Sequence, residues 1–207
     1  MKNRRIVIWL LVVAMTVLLT AGCGTTPPTR FYQLTPQIPP QEGAGQQQRL
    51  PGLKVGVGPV RLADYLGRPP IVTGEQENVL RLDEFDRWGG TLETNITWVM
   101  AENLSSLLGT DSVISFPWER AIVPDYQIAI DVRRLDTMMG GAQVDLVALW
   151  QILDTEGRSV LSISRSELSE PIDGAGVAAL VAAQSRVLGR MSVDIAAAIR
   201  SHHGQKQ

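Results

Sequence analysis

Three consecutive stretches in the second half of the chain alternate between apolar and polar residues with period two, and this pattern restricts the fold more than any other feature. Tyr126, Ile128, Ile130 and Val132 alternate with Gln127, Ala129, Asp131 and Arg133. After Gly140-Gly141, Val144, Leu146, Ala148, Trp150 and Ile152 alternate with Asp145, Val147, Leu149 and Gln151. Glu156-Gly157 then turns the chain into a third run at 159–165. Successive side chains of a strand point to opposite faces, so each run has one face to bury. Turn-forming residues between them join the runs into an antiparallel meander. The middle run is apolar on much of both faces. That is expected when helices cover one side and a partner or another segment covers part of the other.

Two long helical stripes supply the cover. Leu92, Ile96, Val99, Asn103 and Leu107 repeat at helical spacing, widened by Leu104 and Leu108, which predicts a helix from about Arg87 with Gly109 as its C-cap. Val177, Leu180, Val181, Gln184, Val187, Leu188, Met191, Ile195 and Ile199 mark one face of a second helix over about 177–200, rich in alanine. Upstream, 53–60 reads as a strand whose Gly56 and Gly58 imply something packed closely on that side. Short strands are predicted at 71–73, 79–82 and 113–116, with 61–70 an ordered turn. The expectation is an α+β protein: a single two-layer domain, its sheet mostly antiparallel, with both helices packed on one face. Trp150, on the apolar face of the central strand with Leu146 and Ile152, and Trp88 are the expected structural tryptophans.

The N-terminus carries a different message. Lys2, Arg4 and Arg5 precede an apolar run at 6–19, broken only by Thr16, and Thr20-Ala21-Gly22-Cys23 closes it. The run is shorter than the roughly 20 residues of a membrane span and has the layout of a signal peptide. Its end resembles the bacterial lipobox, with Thr20 where leucine is usual. Cys23 is the only cysteine, so it has no disulfide partner within the chain, and it stands where a lipid would be attached. The expected organisation is a cleaved signal over 1–22, a lipidated tether over 23–30, a domain over 31–200 with a flexible Pro/Gln/Gly-rich loop at 35–51, and a polar tail at 201–207. Gly24 takes the place of the aspartate that retains such lipoproteins at the inner membrane. That resemblance implies anchoring in the outer membrane, facing the periplasm.

Removing the signal leaves 16 basic residues against 21 acidic ones, a net charge of -5. Such a surface offers no general attraction for phosphate backbones, so no nucleic-acid partner is expected. No catalytic constellation, metal site or cofactor motif is expected either. The only histidines, His202 and His203, are adjacent in the tail, and the domain has no thiol. Pro59 removes the context a dinucleotide loop would need after Gly56 and Gly58. Asp64, Glu75, Glu77, Asp83, Glu84 and Asp86 could in principle include the carboxylate pair of a hydrolase, but read as solvated loops.

Val57-Gly58-Pro59-Val60-Arg61-Leu62-Ala63-Asp64-Tyr65-Leu66-Gly67-Arg68-Pro69 resembles the signature of the ABC-type transport auxiliary lipoproteins. The likeness continues through Ile71-Val72, Asn78-Val79-Leu80, Arg87-Trp88, Glu102-Asn103-Leu104 and Pro117-Trp118, and Phe31-Tyr32-Gln33-Leu34 matches a short strand after the anchor. Ala63 replaces the family's usual proline. The resemblance implies a non-enzymatic adaptor of an intermembrane lipid transport system. Its partners would be a periplasmic protein with the MCE (mammalian cell entry) domain, an ABC permease and its ATPase. Self-association into a homo-oligomer is also implied. Asp64, Tyr65, Leu66 and Arg68, on a segment bounded by Pro59 and Pro69, are then the expected contact residues. The plainer reading is a tight connection in which Tyr65 covers the core edge. A direct lipid carrier is the alternative function and would need a lined apolar cavity.

Overall fold

The computed structural model describes residues 3, 4, 9, 27–40, 48–76, 79–119, 121–137 and 141–205. The segment expected to be a signal peptide, apart from residues 3, 4 and 9, and Cys23 lie outside the described residues. The strands are β1 (Arg30–Tyr32), β2 (Val55–Leu62), β3 (Pro70–Gln76), β4 (Val79–Trp88), β5 (Val113–Ser115), β6 (Tyr126–Thr137), β7 (Gln143–Leu153) and β8 (Val160–Pro171). Helix α1 (Leu92–Leu108) follows β4, and α2 (Gly176–Gly204) closes the chain. A five-stranded sheet has the order β5-β2-β6-β7-β8, and a smaller one the order β1-β4-β3.

The meander is antiparallel as expected, with Ile130 facing Trp150 and Trp150 facing Ser164 across the ladders. The sheets are nevertheless mixed. β2 runs parallel to both β5 and β6, and β1 runs parallel to β4. Parallel neighbours require a long crossover, and the β3–β4 hairpin and α1 provide one between β2 and β5.

The helix expected from Arg87 begins later. β4 continues through Trp88, whose N–H donates to the Pro69 carbonyl at 2.9 Å. Gly89-Gly90 then breaks the chain direction, and Thr91 caps α1 by accepting from the Thr94 N–H. At the far end Gly109 adopts the left-handed conformation, φ 63°, and its N–H reaches the Ser105 carbonyl. Helix α2 is longer than its apolar stripe suggested. Ser201, His202, His203 and Gly204 of the expected tail form its last turn, and the His203 ring meets Tyr126 edge-on at 6.4 Å.

Both helices cover the same face of the larger sheet. Val55, Val57, Ile128, Ile130, Leu146, Trp150 and Ile152 from the strands meet Ile96, Met100, Leu104, Leu188, Met191 and Ile195 from the helices, none more than 4% exposed. The two helices touch through a polar contact as well, Asn103 Nδ2 donating to Ser192 Oγ at 3.3 Å. Trp88 is also buried at the edge of this core.

The expected flexible loop starts as a fixed strap. The Leu34 N–H donates to Asn95 Oδ1 at 2.6 Å and the Thr35 N–H to Ser185 Oγ at 3.1 Å, tying the segment to both helices. A Cβ placed on Gly189 would lie 1.9 Å from the Gln37 carbonyl oxygen, so the strap passes directly over that glycine. In an exposed helix, Gly→Ala stabilises by about 1 kcal/mol. Here Gly189→Ala is expected to lower the melting temperature, because the obstacle is backbone and must move with the strap. Thermal unfolding followed by circular dichroism checks the sign.

The glycines of β2 are explained in the same way. A Cβ on Gly56 would lie 2.7 Å from the Trp118 ring, and one on Gly58, φ 121°, 2.5 Å from Phe116 Cβ. Phe116 and Trp118 pack edge to face at 5.4 Å over the side of β2 away from the helices.

Candidate partner-binding surface

The turn between β2 and β3 is built from both ends. The Ala63 N–H donates to the Val132 carbonyl at 2.9 Å, which fixes its start against β6, and the Leu66 N–H donates to Ala63 across the turn at 2.9 Å. Its end is held by the bond from Trp88 to Pro69. Leu66 is 3% exposed and belongs to the core, so the expectation that it is a contact residue is corrected. An apolar side chain following a tyrosine in a turn looks exposed in sequence, but here it fills the space under the turn.

Tyr65 takes an intermediate place. Its ring packs against the core edge, and its hydroxyl donates to Asp136 Oδ2 at 2.8 Å. Asp136 is itself buried and receives Arg134 Nε at 2.9 Å. Burial, helped by the hydrogen bond to Asp136 and by that carboxylate's charge, pushes the Tyr65 hydroxyl well above its ordinary range, so it remains a donor. Asp64 and Arg68 are exposed on either side. The turn therefore presents an acid and a base from a frame fixed at Ala63, Tyr65, Leu66 and Pro69. A surface fixed before binding loses little freedom when a partner docks. Sequence reasoning missed Asp136, because an aspartate in a long strand carries no local sign of a tyrosine 71 residues away.

Of the other carboxylates considered for chemistry, Asp86 and Asp83 are engaged in bonds within the fold. Asp86 is 2% exposed and receives both Nε and Nη2 of Arg30, at 2.6 and 2.7 Å. Asp83 Oδ1 accepts the N–H groups of Phe85 and Asp86, both at 2.9 Å. Glu77 lies outside the described residues. Among the described residues, no three His, Cys, Asp or Glu side chains are grouped to hold a metal, and no helix is long and apolar enough to cross a membrane.

Two further surface features stand out. A pocket of about 520 Å³ opens at the start of α1, lined by Tyr32, Trp88, Trp98, Thr91, Thr94 and Asn95 among others. The side of the meander away from the helices is half exposed. There Ile163, 63% exposed, faces Gln151, and the ion pair of Arg165 with Glu167 lies on the same strand.

Comparison with known structures and families completes the description. A protein from Xanthomonas campestris superposes with a TM-score of 0.69 at 15% identity, over 86% of this chain and 100% of that one. An uncharacterized protein of known structure gives 0.66 at 16% identity, over 84% and 99%. At such identities the likeness is one of fold. No curated protein matches the chain significantly in sequence. The family model described as the ABC-type transport auxiliary lipoprotein component matches residues 32–196, nearly the whole described domain. The chain belongs to the ABC-type transport auxiliary lipoprotein family.

Proposed function

We propose that the chain is a non-enzymatic adaptor of an ABC-type lipid transport system. In this reading it is anchored by lipid on Cys23 in the outer membrane and faces the periplasm. Its partners are a periplasmic protein with the MCE domain and, through that protein, the permease and ATPase. The family match over 32–196 is the observation that carries the reading. The turn at 63–69 supports it by presenting Asp64 and Arg68 from a rigid frame, as a docking element requires. Self-association of the lipoprotein around a ring-shaped partner follows from the same reading.

Direct lipid carriage fits less well. A carrier needs an enclosed apolar cavity. Here the space between helices and sheet is filled by side chains, and the pocket at α1 is open and partly lined by Gln33, Thr91, Thr94 and Asn95.

The adaptor reading is tested with Arg68→Glu and Asp64→Arg in the full-length lipoprotein. Both residues are exposed, and surface substitutions typically change stability by no more than about 0.5 kcal/mol. The expected result is an unchanged melting temperature together with loss of transporter subunits that co-purify from detergent-solubilised envelopes. Tyr65→Ala serves as the structural control and is expected to lower stability, because it removes core contact and leaves Asp136 without its tyrosine. Variants at 64 and 68 that retain every partner would move the contact to the exposed side of the meander.

A further inference from the structure

The face of the meander turned away from the helices departs from the pattern of a solvated sheet. Where one face of an antiparallel sheet meets water, its strands alternate apolar-in and polar-out. β7 keeps that rule at Asp145 and Gln151 and breaks it between them, where Val147 and Leu149 stand half-buried on the outer face. Ile163, on neighbouring β8, is 63% exposed. Phe116 and Trp118 cover this side of the sheet at β2, whereas Arg133, Ile163, Arg165 and Glu167 further along it are exposed.

The charges around Val147 and Leu149 follow the ladders. Asp131, Leu149 and Arg165 lie side by side in one row across β6, β7 and β8. In the next row Val147 has Glu167 on its β8 side, and a bulge in β6 sets Arg133 and Arg134 on the other. Arg134 is taken up by Asp136 at 2.9 Å. Asp131 and Arg133 are 3.6 Å apart and 46% and 52% exposed, and Arg165 and Glu167 form the matching pair on β8. One row therefore reads acid, apolar, base, and the next base, apolar, acid. The row on the other side of Leu149 holds Ala129, Gln151 and Ile163, a small side chain on β6 and a large one on β8.

Such an array is complementary to itself. A half-turn about an axis along β7 brings the outer face of a second copy onto the first, with β6 of each over β8 of the other. Asp131 then meets Arg165, Arg133 meets Glu167, and Ile163 meets Ala129, while Val147 and Leu149 meet their own counterparts on the axis. A half-turn about an axis across the strands also opposes unlike charges, Asp131 over Arg133 and Arg165 over Glu167. It sets Ile163 over Ser169, however, and so gives the most exposed apolar group of this face a polar neighbour.

We infer that this face is a two-fold contact between two copies of the chain, packed outer sheet on outer sheet about an axis along β7. Sheets packed in this way keep their strands within about 30° of each other, so the rows near the axis stay matched. The three strands have 12, 11 and 12 residues. At the usual rise and strand spacing they offer about 500 Å² per copy. That is less than the roughly 800 Å² per partner of a standard interface, so the contact is weak in dilute solution. Anchoring two copies on one membrane raises their effective concentration and strengthens it. The inference is read from this face alone and does not depend on a ring-shaped partner.

Sedimentation of the full-length lipoprotein in detergent, over a range of concentrations, reads the pairing. Wild type is expected to double in mass as concentration rises. Asp131→Arg and Arg165→Asp each oppose like charges at two symmetry-related places, and each is expected to weaken pairing about tenfold or more. Combined in one chain they restore unlike charges across the contact, and pairing is expected to return. Arg133→Glu with Glu167→Arg repeats the test in the second row, and melting temperatures near wild type check that these exposed substitutions spare the fold. About an axis across the strands the combined variants oppose like charges throughout, so pairing that falls further in them overturns the arrangement. Wild type that stays monomeric at every concentration overturns the contact, and so does association that none of the four substitutions weakens. Transporter subunits that still co-purify in either case leave the adaptor reading standing.

Discussion

Trp150→Ala is expected to remove a large share of the stability of the domain. Trp150 is 4% exposed, sits opposite Ile130 in β6, and lies within the core formed by helices and sheet. Its indole Nε1 donates to Ser166 Oγ at 3.0 Å, which satisfies the one polar atom of the side chain and a serine that is itself 5% exposed. Truncating a buried tryptophan costs about 3–5 kcal/mol. Leaving a buried hydroxyl without its partner adds about 1–3 kcal/mol. Against a typical total of about 5–15 kcal/mol, the variant is marginal or unfolded. The denaturant midpoint measures the effect. Trp150→Phe should lose less, because most of the volume stays and the hydrogen bond goes. A midpoint that hardly moved for alanine would mean that the side chain faces a partner, and its burial under the helices in a single chain speaks against that.

What the sequence could show was the part of the fold whose order is local. The alternation at 126–133 and 144–152 marks β6 and β7, because the side-chain period of a strand is visible in any half-buried one. Gly56 and Gly58 announced close packing on β2, and Trp118 and Phe116 supply it. The parallel pairing of β2 was not visible, since it depends on which strand lies beside it and not on its own pattern. The second half of β4 was hidden for a related reason. Asp83-Glu84-Phe85-Asp86 reads as a loop, and Asp86 is buried only because Arg30, 56 residues earlier, neutralises it. At the candidate surface, the turn itself was legible from Pro59, Pro69 and the family signature. Which of its residues are presented was not. Leu66 turns inward and Tyr65 is held by Asp136, and both outcomes are decided by β6 passing behind the turn.

Cys23→Ser is expected to abolish anchoring while leaving the domain folded, and this separation follows from where the core begins. The first residue of the described chain that is fully buried is Leu34, and the earliest strand, β1, starts at Arg30. The described residues just before it, 27–29, are exposed, so losing the lipid is expected to leave the core contacts in place. The chemistry is less forgiving. Attachment requires a sulfur nucleophile at the end of the signal, and a serine hydroxyl, far less acidic, does not replace it. Unlipidated protein should accumulate as an unprocessed or misplaced precursor. One acyl chain binds a membrane only marginally, at about 0.8 kcal/mol per buried methylene, whereas several hold firmly, so partial lipidation would already release protein. Metabolic labelling with a fatty acid, followed by fractionation of the envelope, reads both steps. The expected result is a labelled wild type in the membrane and an unlabelled variant whose circular dichroism and melting temperature match those of the wild-type domain. Label incorporated into the serine variant as strongly as into wild type would show that the lipid sits elsewhere. A variant that lost its fold would show that the N-terminal segment does more than tether.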